Sequence, residues 1–431
     1  MTVTVTSNLR EPAEAGVART GADAGADPGA GGRAAYDRTR RRASAQALLL
    51  ALPLLLFLLA TFIAPIAILL SRSVVNHEVP ANLPALSQAL NAWNGEGVPD
   101  ERTFALLAAD MRRTSQEGQL GPVARRMNFY LPEFRSLLMK TARQLPETAP
   151  PAWKPALIEL DARWGTHDIW RYLKRSAVSP TPDYLLTAVD SEVTSGGAIK
   201  SLPADSSVYL SAFARTVWIS ASVTLLCLVL GYPVAYLLAT LPPAKSNRLM
   251  LLVIVPFWTS LLVRTTAWYV LLQPSGVINS LLVSSGIVSH PLPLLFNRTG
   301  VLIGMTHILL PYMILAIYSV MKGVSPVYMR AAQSLGAHPV TAFVRIYMPQ
   351  TLPGVGAGCF LVFVLALGYY ITPALLGGAG DEMISQLIAA QTNEQLNWGL
   401  AGALSAYLVI FTAVFYFVFN RLVGIDRLRF G

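Results

Sequence analysis

The segment SPVYMRAAQSLGAHPVTAFVRIYMPQTLPG, residues 325–354, lies between two long apolar stretches and is the most informative part of this chain. Its opening Ser-Pro pair is typical of a helix start, because a serine hydroxyl caps the first turn and proline fits its first position. Gly336 is typical of a helix end. A second short helix should begin at Pro339 and end near Pro349. The segment therefore predicts two small helices at an angle, connecting two apolar runs.

The apolar runs on either side belong to a set of six, each near the roughly 20 residues that a helix needs to cross a bilayer. They are Ala47–Leu70, Phe213–Thr240, Leu249–Leu272, Gly300–Met321, Gly354–Leu376 and Gly399–Asn420. Only 13% of the residues are charged, against about 25% in soluble domains. We expect an all-α polytopic membrane protein with six transmembrane helices. Prolines in five runs predict breaks in those helices: Pro65, Pro233, Pro256, Pro311 and Pro373.

The distribution of basic residues predicts the orientation of the chain, since cytoplasmic flanks are rich in Lys and Arg. The basic residues on one side are Arg38, Arg40, Arg41, Arg42, Lys245, Arg248, Lys322, Arg330, Arg345, Arg421, Arg427 and Arg429. Both termini and the 325–354 segment are therefore expected in the cytoplasm. These flanks also account for the net charge of +9 without a nucleic-acid partner.

The chain divides into regions of different composition. We expect a disordered cytoplasmic tail at 1–46, a first transmembrane helix at 47–72, an insert at 73–208, a permease-like core at 209–421 with a loop at 322–353, and a short tail at 422–431. Between residues 73 and 207 the insert has 15 acidic and 14 basic residues and four tryptophans. Apolar residues recur there at helical spacing, which predicts a small helical domain outside the cytoplasm.

Motifs for catalysis and for metal binding are missing from the sequence. No Lys follows a Gly, so a phosphate-binding GxxxxGK[ST] loop is excluded, and HExxH is absent. The two cysteines, Cys227 and Cys359, have no metal-ligand spacing around them. We therefore predict no catalytic residues and no metal site, and any uphill transport must take its energy from a partner or an ion gradient.

The 325–354 segment resembles the EAA-type motif of binding-protein-dependent ABC import permeases. The matching positions are Ala331, Ala332, Gly336, Ile346 and Pro349, with Arg330 in place of the motif's Glu and Met348 in place of its Leu. Further segments are similar to polyamine-type permeases, including PFWTSLLVRTTAWYVLLQPSGVINSLL from Pro256, LPYMILAIYSVM, LGYYITPALLGG and NWGLAGALSAYLVI. Together they cover most of residues 213–421, about half of the chain.

The resemblance implies a type I ABC importer permease fold with six transmembrane helices in a bacterial inner membrane. The 322–353 loop would then contact an ATPase through Arg330 and the five matching positions. The implied partners are a second permease subunit, two ATPase subunits and an extracytoplasmic substrate-binding protein. The chain would carry no cofactor, because ATP is bound by the ATPase. The favoured solute is a polyamine such as spermidine or putrescine.

Five residues are candidates for the solute path. Arg264 lies mid-span between Trp258 and Trp268, and an ionisable group at that depth usually faces a cavity or the interior of a helix bundle. A structural arginine that bonds the carbonyls of a broken helix is an equal alternative. Tyr369 and Tyr370 offer further aromatic faces to a cation.

The main alternative function is an ion-coupled secondary transporter. Such a protein needs an intramembrane carboxylate, and none of the six apolar runs contains Asp or Glu.

Overall fold

The structure is a computed structural model that describes residues 49–75, 78–128, 130, 133–193, 198–203 and 207–423. The predicted tail at 1–46 and residues 424–431 of the second predicted tail lie outside these ranges. The chain divides at Pro65 into two compact units. The first elements are α1 (Leu49–Ser71), α2 (Glu78–Asn82), α3 (Pro84–Ala92), α4 (Glu101–Gln116), α5 (Leu120–Asn128), α6 (Phe134–Gln144), α7 (Trp153–Leu160), α8 (His167–Ser176), α9 (Asp183–Thr187), β1 (Ser191–Val193) and β2 (Ile199–Ser201). The remaining elements are α10 (Tyr209–Thr240), α11 (Pro243–Ile254), α12 (Leu261–Leu271), α13 (Val277–Ser284), α14 (Arg298–Met321), α15 (Pro326–Ser334), α16 (Pro339–Ala342), α17 (Met348–Gly368), α18 (Ile371–Leu376), α19 (Ile384–Asn393) and α20 (Trp398–Val423).

The prediction of an all-α polytopic membrane protein is confirmed. Within the described residues, five helices are long and apolar enough to cross a membrane, or six if a bent pair counts as one span. The exception to the helical prediction is the antiparallel hairpin of β1 and β2, in which Ser191 pairs with Ser201.

Three helices, α10, α14 and α17, pack closely and form the centre of the membrane region. Small residues allow this approach, as is usual between helices in membranes. A Cβ added to Gly358 on α17 would lie 2.7 Å from the sulfur of Met313 on α14. At Gly354 it would lie 2.9 Å from Cβ of Val320, so a larger side chain at either position would separate the helices.

The third span, predicted at Leu249–Leu272 with a break at Pro256, is broken at that position. Helix α11 passes into a 3₁₀ turn at Val255–Trp258, and α12 then starts in a direction 97° away. Pro256 lies in that turn and has no N–H for a helical hydrogen bond. The Ser260 hydroxyl accepts a hydrogen bond from the Val263 N–H at 3.3 Å and so caps the new helix.

The fifth span differs from the predicted Gly354–Leu376 at both ends. Its apolar helical stretch covers Pro339–Gly368, and α18 is separated from it by a short extended break. Pro373 cannot donate to the Tyr369 carbonyl, four residues earlier, which instead accepts the Ser385 hydroxyl at 2.6 Å. The break therefore lies ahead of the proline.

Other prolines are accommodated without ending a helix. Pro233 and Pro311 lie inside the continuous helices α10 and α14, so the predicted breaks there are wrong. Before Pro65 and before Pro349 the helix contains a π-helical turn, and the Met348 N–H bonds the Phe343 carbonyl five residues back. The prediction that the second loop helix ends near Pro349 is therefore also wrong.

The insert folds around its own hydrophobic core. Trp164 and Trp170 are fully buried, and their ring centroids lie 5.8 Å apart. Asp183 lies among buried polar groups and accepts hydrogen bonds from Thr181, Tyr130 and Arg175. Burial alone would raise the pKa of Asp183, but these hydrogen bonds outweigh it and the pKa lies below its usual value.

The insert is joined to the membrane region at a neck and at packed contacts. At the neck, the Thr181 N–H donates to the Val74 carbonyl at 2.8 Å. Tyr184 of α9 packs in a core cluster with Leu400 and Leu404 of α20. At Gly399 a Cβ would lie 2.0 Å from the Tyr184 ring, so glycine is required for this contact.

Candidate functional site

The loop between the fourth and fifth spans begins with a capped helix. The Ser325 hydroxyl accepts a hydrogen bond from the Val327 N–H at 3.3 Å, and Pro326 occupies the first turn of α15. The helix ends at Gly336, whose φ is +89°. The Gly336 N–H bonds the Gln333 carbonyl, and the next N–H bonds the Ala332 carbonyl. This pair of bonds is the Schellman arrangement, which requires a left-handed residue at that point.

The second half of the loop is continuous with the fifth span. The His338 side chain caps α16 by accepting the Val340 N–H at 3.4 Å. The π-helical turn Phe343–Tyr347 follows and leads into α17. Its rings contact Tyr236 of α10 edge to face, with centroid distances of 5.2 Å from Phe343 and 5.3 Å from Tyr347. An aromatic cluster therefore fixes the loop to the membrane helices.

The six predicted loop residues differ in how exposed they are. Arg330, Ala331, Gly336 and Pro349 are exposed, Ile346 is half-buried and Ala332 is 7% exposed. The exposed positions are accompanied by large apolar side chains that the sequence did not single out. These are Val327, Tyr328, Leu335, Val340 and Val344, of which Leu335 is 89% exposed. The loop therefore presents an apolar surface with a basic residue on it.

The second candidate region lies around the guanidinium of Arg264 on α12. Its Nε and Nη1 atoms are enclosed and have no hydrogen-bond partner among the described residues. Helix α12 packs against α14 and against α18, and Tyr369 lies in the break that precedes α18. Arg264, Trp268 and Tyr369 therefore border one region where α12, α14 and the break meet.

Aromatic and hydroxyl contacts hold this region together. The Trp268 and His307 rings lie 5.3 Å apart in an edge-on arrangement. Phe257, in the 3₁₀ turn, lies 4.8 Å from Tyr312 of α14. The hydroxyls of Thr265 and Thr372 are 3.2 Å apart and join α12 to α18. We name the region of Arg264, Trp268, His307, Tyr312 and Tyr369 the arginine–aromatic cluster.

Two of the predicted path residues lie apart from this cluster. Trp258 is 83% exposed at the bend of the third span, and Tyr370 is 44% exposed. Conversely, sequence reasoning missed Tyr312. It lies on a different helix from Arg264, and only the tertiary packing brings the two helices together.

Charged residues at the end of the membrane region are paired rather than free. The Arg298 Nε donates to the Asp381 carboxylate at 3.0 Å, and its guanidinium lies 5.2 Å from the Trp218 ring centroid. Arg215 donates to the Gly380 carbonyl. In the described part of the chain, no three His, Cys, Asp or Glu side chains come together as metal ligands.

Known proteins share the part of the chain that carries these features. Residues 228–426 match the family model "Binding-protein-dependent transport system inner membrane component". The Haemophilus influenzae spermidine/putrescine transport system permease protein PotB is 34% identical over 248 residues, which are 56% of this chain and 87% of that protein. The Escherichia coli protein of the same name is 37% identical over 198 residues, 46% of this chain and 72% of that one.

A solved structure is also similar in part. It is a bacterial alginate ABC transporter in complex with an alginate pentasaccharide-bound periplasmic protein, with a TM-score of 0.42 and 17% identity over 50% of this chain and 77% of that chain. The sequence comparisons establish the relationship on their own. This chain belongs to the family of inner-membrane components of binding-protein-dependent transport systems.

Proposed function

We propose that this chain is a permease subunit of an ABC importer for polyamines such as spermidine and putrescine. The observation that carries the proposal is the 34% identity across 87% of a relative named as a spermidine/putrescine permease. The resemblance in sequence covers both the loop between the fourth and fifth spans and the segments of the arginine–aromatic cluster. The chain itself catalyses no covalent step.

The solute path of this subunit would bind a cation through aromatic faces. Trp258, Trp268, Tyr369 and Tyr370 can each contribute about 0.5–2 kcal/mol to a cation. The described membrane helices contain no Asp or Glu, so this half of the path has no carboxylate to neutralise an ammonium group. In this proposal the second permease subunit supplies those carboxylates.

The loop between the fourth and fifth spans would contact the ATPase. Its exposed residues Arg330, Ala331, Gly336 and Pro349 lie beside an apolar surface, which is the composition expected of a surface that a partner covers. Two ATPase subunits would bind ATP, one for each permease, on the cytoplasmic side. Both termini of this chain would lie on that side as well.

The insert would be the docking region for the substrate-binding protein outside the cytoplasm. It has its own core and is attached through a neck, so it can present a rigid surface without distorting the membrane helices. A spacer or stabilising cap is the alternative role.

Uptake measurements test the proposal. Cells that lack other polyamine importers would express the second permease, the ATPase and the substrate-binding protein, with or without this chain. Uptake of labelled spermidine and putrescine would be measured in both. We expect uptake to depend on this chain. The polyamine assignment would be refuted if uptake of neither polyamine depended on this chain while uptake of an anionic or zwitterionic solute did. Only the importer class would then remain.

A further inference from the structure

Among the described residues, no carboxylate forms an ion pair with Arg264. Its enclosed Nε and Nη1 atoms have no acceptor among the described residues. Helices α13, α14 and α18 pack against α12, and none of them contains Asp or Glu. Arg264 is partly buried, and a charge at this depth in a membrane helix is costly unless it is paired, so a partner for Arg264 is expected in the assembled protein.

The acidic residues of this chain are not available for that role. None of the described membrane helices contains Asp or Glu. Asp381, in the loop after α18, is already paired with Arg298 at 3.0 Å. A cationic solute cannot serve either, because it would be repelled by the guanidinium.

The surface next to Arg264 is apolar and uncovered in the single chain. Leu262 is 56% exposed, Val263 is 62% exposed, and Trp258 at the bend is 83% exposed. On a membrane helix such side chains face lipid or another subunit, and the adjacent guanidinium favours a subunit, because hydrocarbon offers no group that can pair with a charge.

We propose that Arg264 forms an intramembrane ion pair with a carboxylate on a membrane helix of the second permease subunit. The inference rests on the proposed function, since it assumes a two-permease assembly. The ion pair neutralises Arg264, so that Trp268 and Tyr369 can accept a cationic solute beside it. If the pair separates during the transport cycle, the uncompensated guanidinium repels the solute from the cluster. Arg264 is therefore a positioning residue for the solute path.

The test uses the complete importer in membranes, with this chain tagged. Three variants, Arg264→Gln, Arg264→Glu and Arg264→Lys, are compared with Arg215→Gln, a control arginine that bonds a backbone carbonyl in the same protein. Each Asp and Glu in the membrane helices of the second permease is changed to its amide and to Lys. The readouts are recovery of the second permease with the tagged chain and uptake of labelled spermidine.

The ion pair predicts a specific pattern of results. Arg264→Glu should lower recovery of the second permease and lower uptake at least tenfold, and a single Lys substitution in the partner should restore both to within about threefold. Arg264→Lys should be mild, and Arg215→Gln should resemble the wild type. If no partner substitution rescues Arg264→Glu, or if Arg264→Gln changes only the KM for solute, the ion pair is refuted.

The experiments distinguish a wrong substrate assignment from a wrong ion pair. Wild-type importer that assembles but takes up no polyamine would refute the substrate, while rescue of recovery by the charge exchange would still support the pair.

Discussion

At Gly336 the backbone has a left-handed conformation, with φ at +89°, and no heavy atom lies within 4 Å of where a Cβ would be. Changing this residue to Val would therefore cause backbone strain without a steric clash, about 1–2 kcal/mol. That energy corresponds to roughly a five- to thirtyfold change in an equilibrium. We expect Gly336→Val to reach the membrane normally but to hydrolyse ATP without matching uptake, measured as solute transported per ATP.

The matched control is Gly336→Asn, because asparagine adopts the left-handed conformation more readily than other residues. It should retain most of the coupling. Normal transport per ATP by the Val variant would rule out the assignment of this loop to the ATPase contact.

Gly399 tests the contact between the insert and α20. Its Cβ would lie 2.0 Å from the Tyr184 ring, so Gly399→Ala must displace one of the two elements, at a cost of about 1–3 kcal/mol. We expect a lower thermal unfolding temperature in detergent. Gly121→Ala, in the insert helix α5 with no atom within 4 Å, should leave it unchanged or raise it. Equal unfolding temperatures for the two variants would contradict the described contact.

Single residues were predictable from sequence where their role is local. The helix start at Ser325 and the helix end at Gly336 follow from short-range backbone hydrogen bonding, and both are present. The pairing of Trp268 with His307, and the separation of Tyr370 from the arginine–aromatic cluster, depend on how distant helices pack. No local pattern carries that information.

Among the elements, the membrane-spanning helices were predictable, and the predicted breaks occur near Pro256 and Pro373. The continuity of the helices through Pro233 and Pro311 was not predictable. Proline alone predicts a lost hydrogen bond, but the outcome depends on whether another group takes the freed carbonyl. At Pro373 the Ser385 hydroxyl takes it and the helix breaks. At Pro349 a π-helical turn keeps the helix continuous. The hairpin of β1 and β2 was not predicted from the sequence either.

Asp190 stabilises the start of α10, the longest helix described. Its carboxylate accepts the N–H groups of Val208, Tyr209 and Leu210 at 2.7–3.1 Å. Hydrogen bonds with a charged partner contribute about 1.5–3 kcal/mol, so Asp190→Ala should lower the free energy of unfolding by that order. Its φ of +51° adds strain for alanine.

Asp190→Asn is the control, since it keeps one acceptor and tolerates the backbone conformation. The variants would be compared by thermal unfolding in detergent. If Asp190→Ala is as stable as the wild type, the carboxylate does not act as the cap.

The insert can be removed from the rest of the molecule at its neck. The Val74 carbonyl and the Thr181 N–H are 2.8 Å apart, so residues 76–180 can be replaced by a short Gly-Ser linker that joins Val75 to Thr181. The shortened chain keeps Tyr184 and Asp190, which contact the membrane helices. We expect it to assemble and to keep basal ATPase activity, while stimulation by the loaded binding protein falls at least tenfold. Unchanged transport would instead favour a spacer role for the insert.

The central claim is that this chain is a polyamine permease driven by a partner ATPase. It is tested most directly in proteoliposomes that contain this chain, the second permease and the ATPase, with the substrate-binding protein on the opposite face from the ATPase. Labelled spermidine uptake is measured with ATP and no ion gradient, and with a proton or sodium gradient and no ATP. The account predicts uptake only with ATP and the binding protein, lost when this chain is omitted. Uptake driven by the ion gradient without ATP would contradict it.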